Sequence, residues 1–239
     1  MSAKAQNPLD NQLLAALPKE ISERLLPHLE PVSLSLGEVI YESGGQMTHV
    51  YFPTSSIVSL LYLMANGATA EIGVVGYEGV VGIALFLGGG TTPNRAVVQS
   101  AGHAFKMKAQ VLRQEFEEGG AMQLQLLRYT QALLTQISQT AVCNRLHPVE
   151  QQLCRWLLLS HDRLRSDELV MTQDLISNML GVRREGITLA ARQLKDRGLI
   201  SYVRGTITLV DRTGLEAAVC ECYRVVKTEY DRLLGQYSK

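Results

Sequence analysis

No apolar run in this chain of 239 residues approaches the roughly 18 needed to cross a bilayer; Val80 to Gly90 is short and broken by glycine. The opening MSAKAQNPLD holds no apolar stretch of the secretory type. Cysteine is scarce. Four residues, with Cys220 and Cys222 two apart, make no disulfide framework, so a reducing cytoplasm is the expected compartment and buried thiols the expected state. Within the helix expected there, two residues separated by one diverge around the axis. The histidines, His28, His49, His103, His147 and His161, show no His-x-His spacing, which argues against a metal-dependent cupin-type enzyme, although His49 and His103 could still meet in space. Gly88-Gly89-Gly90 lacks the Lys-Ser/Thr of a phosphate-binding loop and reads as a loop tip. Neither a metal, a cofactor nor catalysis is expected.

Net charge is also missing, and a formal balance of zero by itself disfavours a nucleic-acid partner. The distribution is less neutral. From Cys143 onward there are 15 Lys and Arg against 12 Asp and Glu, with 8 against 11 before it. Arg183, Arg184, Arg192, Lys195 and Arg197 crowd one short stretch, opposed by Glu185 and Asp196. A local basic face matters more to a polyanion than the average over the chain. A hydrophobic fraction of 46% with 19% charged residues is enough for an ordinary core.

NQLLAAL and EISERLLPHL read as short helices punctuated by Pro18, Pro27 and Pro31. From Val32 to about Met107 the texture becomes short β-type runs, such as EVIY, HVYF, SIVSLLYLM, TAEIGVV and RAVVQS. Asn66-Gly67 between two of them predicts a type I′ hairpin. Closely spaced short strands imply an antiparallel sandwich or roll. Ala121 to Asn144 then runs without glycine or proline. Met122, Leu126, Thr130, Leu133, Ile137 and Thr140 recur near a heptad interval, with Leu127, Leu134 and Ala141 on an adjacent stripe. The first stripe predicts a dimer seam, although a helix lying on its own sheet would look similar. A break is expected at Asn144 to His147, with Pro148 opening a new helix.

Gln173 to Arg192 has the inside–outside pattern of a helix-turn-helix. Ile176, Leu180, Val182, Ile187 and Ala190 supply the apolar contact, Ser177 is small, and Gly181 suits a left-handed turn. Thr172 can cap the first helix, with Asp174 in its first turn. Arg183, Arg184, Glu185, Thr188, Leu189 and Arg192 face outward on the second helix. LISYV-RG-TITLV follows as a β-hairpin around Arg204-Gly205, the wing of a winged motif. The tail from Arg212 is helical in pattern and expected to pack on this domain.

This order of elements resembles the Crp/Fnr superfamily of bacterial transcription regulators over nearly the whole chain. MTQDLISNMLGVRREGITLAARQLKDRGLI followed by RGTITLVD carries the resemblance most strongly; GEVIYESGGQMTHVYFPTSSIVSL is similar to the start of a cyclic-nucleotide-binding roll. The resemblance implies an α+β chain: an antiparallel β-roll (a double-stranded β-helix) over residues 1–120, a dimerisation helix and hinge over 121–147, and a winged helix-turn-helix over 148–239. It implies a homodimer on palindromic double-stranded DNA, with RNA polymerase as a further partner. Arg184 and Glu185 match the family's base-reading pair, and Leu189 stands where some members carry a second arginine. Arg183, Thr188, Arg192, Arg204 and Thr172 fall where phosphate contacts are expected, and Leu126, Thr130, Leu133 and Ile137 on the dimer helix. Members that bind a cyclic nucleotide carry Gly-Glu-Leu and then Arg-Ser/Thr. Here Gly82 is followed by Ile83 and Ala84, and Arg95 is out of register in Asn94-Arg95-Ala96. Gly82 and Arg95 are the remaining ligand candidates, cyclic AMP is not the expected effector, and the effector is left open. The iron–sulfur members use cysteines near the N-terminus, and this chain has none before Cys143. Two alternatives stay open: a cyclic-nucleotide-responsive regulator, and a cupin-like receptor or enzyme whose C-terminal motif is structural.

Overall fold

Asn11 anchors the start of the fold. Its carboxamide oxygen caps helix α1 (Gln12–Ala15) by accepting from the Leu13 and Leu14 amides. Its side-chain nitrogen donates to Pro53 O and Gly79 O, both at 2.9 Å, so this fully buried polar side chain is satisfied. The computed structural model describes residues 6–164 and 166–235. Helix α2 (Lys19–Leu25) follows, and then seven strands: β1 (Glu30–Leu34), β2 (Val39–Tyr41), β3 (His49–Pro53), β4 (Ile57–Leu63), β5 (Thr69–Val75), β6 (Arg95–Ser100) and β7 (Gly102–Lys108). They form two antiparallel sheets, ordered β1-β7-β3 and β2-β6-β4-β5. Val50, Phe52, Ile57, Val58, Val74, Val75, Val98 and Met107 are buried. Along β3 half-buried and buried residues alternate from His49 to Phe52, which specifies its register because a slip by one residue would turn its apolar set outward. Strand β4 is buried on both faces from Ile57 to Leu61.

The β4–β5 hairpin differs from the expected turn. Only Arg204 among the described non-glycine residues has a positive φ, so Asn66 does not take the left-handed conformation that a type I′ turn requires. Gly67 takes it alone, at φ +82°, with its amide donating to Met64 O and the Met64 amide to Ala68 O. The loop is one residue longer than the simple pair Asn-Gly implied. His49 and His103 do not meet: His49 lies opposite Lys108 and His103 opposite Ser33, five residues apart along β7.

Helix α3 (Ala109–Glu117) ends at Gly119 and Gly120, both with positive φ, which turn the chain into the 27-residue helix α4 (Gly120–Leu146). Here the expected dimer seam is corrected. Leu126 and Leu133 are fully buried and Thr130 nearly so, while Ile137 is half-buried and packed on the same core; together they lie against the chain's own roll and C-terminal helix. The heptad interval arose because this face covers a sheet, the other arrangement with the same periodicity. The adjacent stripe is the open one: Leu124, Leu127, Gln131, Leu134, Ser138, Ala141 and Arg145 are all exposed at alternating intervals of three and four.

The helix runs through the expected break, which falls instead at His147 and Pro148. Helix α5 (Val149–His161), strand β8 (Glu168–Val170), helices α6 (Gln173–Leu180) and α7 (Arg184–Asp196), strands β9 (Ile200–Val203) and β10 (Thr206–Leu209) and helix α8 (Arg212–Ala218) complete the C-terminal region. Its sheet has three strands, β8-β10-β9, not the two of a bare hairpin. Helix α9 (Glu221–Leu234) then leaves that region and lies along α4. Gln136 on α4 bridges the two parts. It accepts from the Val74 amide at 2.6 Å and donates to the Tyr230 hydroxyl at 2.8 Å. The tail is therefore divided: α8 packs on α5 of its own domain, as expected, whereas α9 packs mainly along α4; its last four residues lie outside the described set. Among the described residues no helix is long and apolar enough to cross a membrane.

Candidate nucleic-acid interface

Thr172 caps α6 through its hydroxyl, which accepts from the Leu175 amide at 3.2 Å, and Gly181 closes the helix at φ +65°. Ile176, Ser177, Leu180, Ile187, Ala190, Ala191 and Leu194 are buried between the two helices and α5, with Val182 half-buried. This packing leaves Arg183, Arg184, Glu185, Thr188, Leu189 and Arg192 exposed along one side of α7. Leu189 is 58% exposed, an apolar side chain largely open to solvent. Arg184 Nε lies 3.2 Å from Asp174 Oδ1 on α6, with both side chains well exposed, so the pair contributes little and either group can exchange partners. Thr188 donates to Gln173 Oε1 at 2.7 Å. Glu185 has no hydrogen-bond or ion-pair partner among the described residues, and it sits in the first turn, where its charge complements the helix dipole. Arg197 is different. It pairs with Glu150 of α5 at 2.7 Å and braces the far end of the helix.

The wing turn Arg204-Gly205 has positive φ at both residues, +49° and +83°, the two-residue type I′ geometry. Arg204 is exposed at its tip. The start of α6 and the wing turn are held together: the Met171 amide donates to Gly205 O at 2.6 Å.

In the roll, Gly82 takes φ +107° and starts a short 3₁₀ turn. Arg95 Nη2 pairs with Glu42 at 3.1 Å. The cavity beside Gly82 has a volume of about 50 Å³; Leu60, Val80 and Ile137 line its apolar part and Tyr41, Thr92 and Asn94 its polar part. Arg95 does not line it, so the two ligand candidates are not brought together. Small-molecule sites generally need about 300 Å³ or more.

Sequence reasoning missed the polar seam that joins the roll to the helix-turn-helix region. Trp156 Nε1 on α5 donates to Glu71 Oε1 on β5 at 3.0 Å, and Ser59 donates to Glu71 Oε2 at 2.5 Å. Ser59 also meets Gln99, whose side-chain nitrogen donates to Ser160 of α5 at 2.9 Å. Arg163 Nε pairs with Glu78 at 2.7 Å, both buried. Burial pushes the Glu71 carboxyl up to about 7, against the opposing pull of Ser59, Arg155, Trp156 and Arg163. The sequence signal was a single acid inside the apolar strand TAEIGVV, together with the chain's one tryptophan on a facing helix. At the other end of β5, Thr69 donates to Asn178 O on α6 at 3.3 Å, and Gly181 packs beside Ala70. The motif's turn thus rests on the β4–β5 hairpin.

Comparison with known families gives two matches. Residues 31–118 match the cyclic nucleotide-binding domain and residues 151–218 the Crp-like helix-turn-helix domain. The chain belongs to the Crp/Fnr superfamily. It is a Crp/Fnr-type transcription regulator, with the roll and the helix-turn-helix in that family's order. Among solved structures it is similar to FixK2 from Bradyrhizobium japonicum, with a TM-score of 0.69 and 18% identity over 80% of this chain and 98% of that one. A CRP-family transcriptional regulator from Thermus thermophilus has a TM-score of 0.66 at 16% identity, covering 78% of this chain and 95% of the other. The c-di-GMP responsive global regulator CLP of Xanthomonas campestris has a TM-score of 0.63 at 16% identity, covering 80% and 99%. At these identities the structural likeness shows the Crp/Fnr fold alone. Nothing among curated proteins matches the sequence.

Proposed function

We propose that this Crp/Fnr-type regulator binds a palindromic DNA site as a homodimer and does so without cyclic AMP. The observation that carries the reading is the open side of α7: six residues selected by sequence pattern are all exposed, while the residues between them are all at least partly buried. Arg184 suits bidentate donation to guanine and Glu185 suits cytosine N4, each worth about 1–3 kcal/mol of discrimination. Leu189 offers an apolar contact to a thymine methyl. Arg183, Thr188, Arg192, Arg204 and Thr172 are assigned to phosphates, which position the protein without reading sequence. Residues 1–120 act as sensor, 121–147 as dimer helix and 148–239 as DNA-binding domain. Leu124, Leu127, Leu134 and Ala141 replace the buried stripe as the pairing face, since knobs-into-holes packing needs an exposed heptad seam. Two α7 helices related by the two-fold would enter successive major grooves about 34 Å apart. RNA polymerase is assigned as a further partner, and no catalysis is assigned to the chain.

Against a cyclic-nucleotide effector stands the small size of the cavity beside Gly82, about 50 Å³, with no arginine lining it. Calorimetric titration with cyclic AMP is expected to give no heat of binding; a defined stoichiometry overturns that part. For DNA, duplexes are selected from a random pool and then challenged with the Arg184→Ala/Glu185→Ala chain. Loss of specific retention with an unchanged dimer and melting temperature is expected. Specific retention that survives the change removes α7 as the reading helix.

A further inference from the structure

The four cysteines are not four scattered thiols. Three of them converge with a histidine at the corner between α4 and α5. Cys143 and His147 lie four residues apart, on one face of the last turn of α4 and at its cap. Cys220 does not sit inside a helix: it caps α9 with extended backbone, φ −70° and ψ 165°. Its side chain therefore need not diverge from that of Cys222, and both reach the same point. All four donor atoms lie within 4.8 Å of one another. Cys143 Sγ is 3.6 Å from Cys220 Sγ, and Cys222 Sγ is 3.6 Å from His147 Nδ1.

We propose that Cys143, His147, Cys220 and Cys222 bind one zinc ion. With Zn–S near 2.3 Å and Zn–N near 2.0–2.1 Å, tetrahedral coordination sets sulfurs about 3.8 Å apart and sulfur to nitrogen about 3.5 Å. The two spacings of 3.6 Å fall close to those edges. Soft thiolates with one imidazole select zinc over the hard cations. A polynuclear iron–sulfur cluster would spread its ligands over several metal atoms and needs a wider cage. His147 Nε2 faces the Glu221 carboxylate at 3.5 Å, the carboxylate–histidine partner that orients a ligating ring and raises its basicity. The three cysteines are buried and form a group of their own, apart from the main core, with Val219 packed against it. Four protein ligands close the coordination sphere, so the ion is structural. It ties the start of α9 to the end of α4 through the residue just before Pro148, where the chain turns into α5. Loaded protein should hold α9 and that corner in place. The proposal stands independently of the DNA-binding reading.

The test uses the full chain, purified without metal-affinity resin or chelator, and elemental mass spectrometry. About one zinc per chain is expected, with loss of the metal in the Cys220→Ser/Cys222→Ser variant. Cobalt added to stripped wild type should produce thiolate-to-cobalt charge-transfer bands and the visible bands of a tetrahedral site. Glu221→Gln should weaken zinc binding about 10–100-fold in competition with a chromophoric chelator. Since the cysteine variant could lose its fold, the titration of folded, stripped wild type decides alone. Failure to take up one equivalent of zinc overturns the site, as does a Cys143–Cys220 disulfide in protein isolated without metal. Iron found in place of zinc overturns the choice of ion.

Discussion

Arg204 holds φ +49° in the wing turn, a conformation that costs an L-residue with a long side chain about 1–2 kcal/mol. Asparagine tolerates that region far better and is the favoured partner before glycine in this turn. Arg204→Asn should therefore raise stability by about 0.5–1 kcal/mol, read from denaturant midpoints. The same change should lower the slope of log K against log salt by about one, since one phosphate contact is lost. A variant that is more stable yet binds with an unchanged salt slope would remove Arg204 from the DNA contacts. Thr172 caps α6 through its hydroxyl, so Thr172→Ala should cost about 0.5–2 kcal/mol through the cap alone, whatever its effect on DNA.

Helix α4 presents two stripes that look alike in sequence and do opposite things. Leu133 is fully buried and Leu134 is 51% exposed. Leu133→Ala should lower the stability of the chain by about 2–5 kcal/mol, the range for a leucine removed from a packed core. Leu134→Glu should leave the fold's circular dichroism and melting intact but shift the sedimenting species from dimer to monomer. A dimer that persists in Leu127→Glu/Leu134→Glu places the pairing face elsewhere. The periodicity made the helix legible and left its orientation undecided, because a heptad interval fits both a sheet-covering face and a coiled-coil seam. The hairpin is a smaller case: Asn66-Gly67 marked the turn, but the conformation of Asn66 was set by how β4 and β5 close, not by the dipeptide.

For the whole molecule the decisive feature is the seam between the roll and α5. Glu71 is fully enclosed, and its carboxyl is raised from an ordinary 4.5 to about 7 by burial. A folded pKa above the unfolded one means the folded chain holds the extra proton between those values, so stability falls as pH rises from about 4.5 to about 7 and levels off above. The stability lost over that interval is on the order of 3 kcal/mol. Glu71→Gln keeps an acceptor for Ser59 or Trp156 and carries no charge; it should flatten this slope in urea melts run across that pH range and stabilise the neutral-pH form. An unchanged slope would mean that Glu71 stays ionised when folded. Arg163→Ala should cost about 3–5 kcal/mol, because Glu78 would remain buried without its partner.

The amino-acid pattern was enough to establish the roll, the long helix and the winged motif, and to select which residues of α7 face outward. Those features rest on local periodicity, turn chemistry and caps, which neighbouring residues in the chain carry among themselves. It could not decide which stripe of α4 is covered, that α9 crosses back to that helix, that Glu71 meets Trp156, or that Cys143 and His147 come together with Cys220 and Cys222. Each of these depends on groups separated by about 75 residues or more, or on a choice between two faces of one periodic helix. Sequence spacing says nothing about such meetings; only the packing of one element on another brings the atoms within reach.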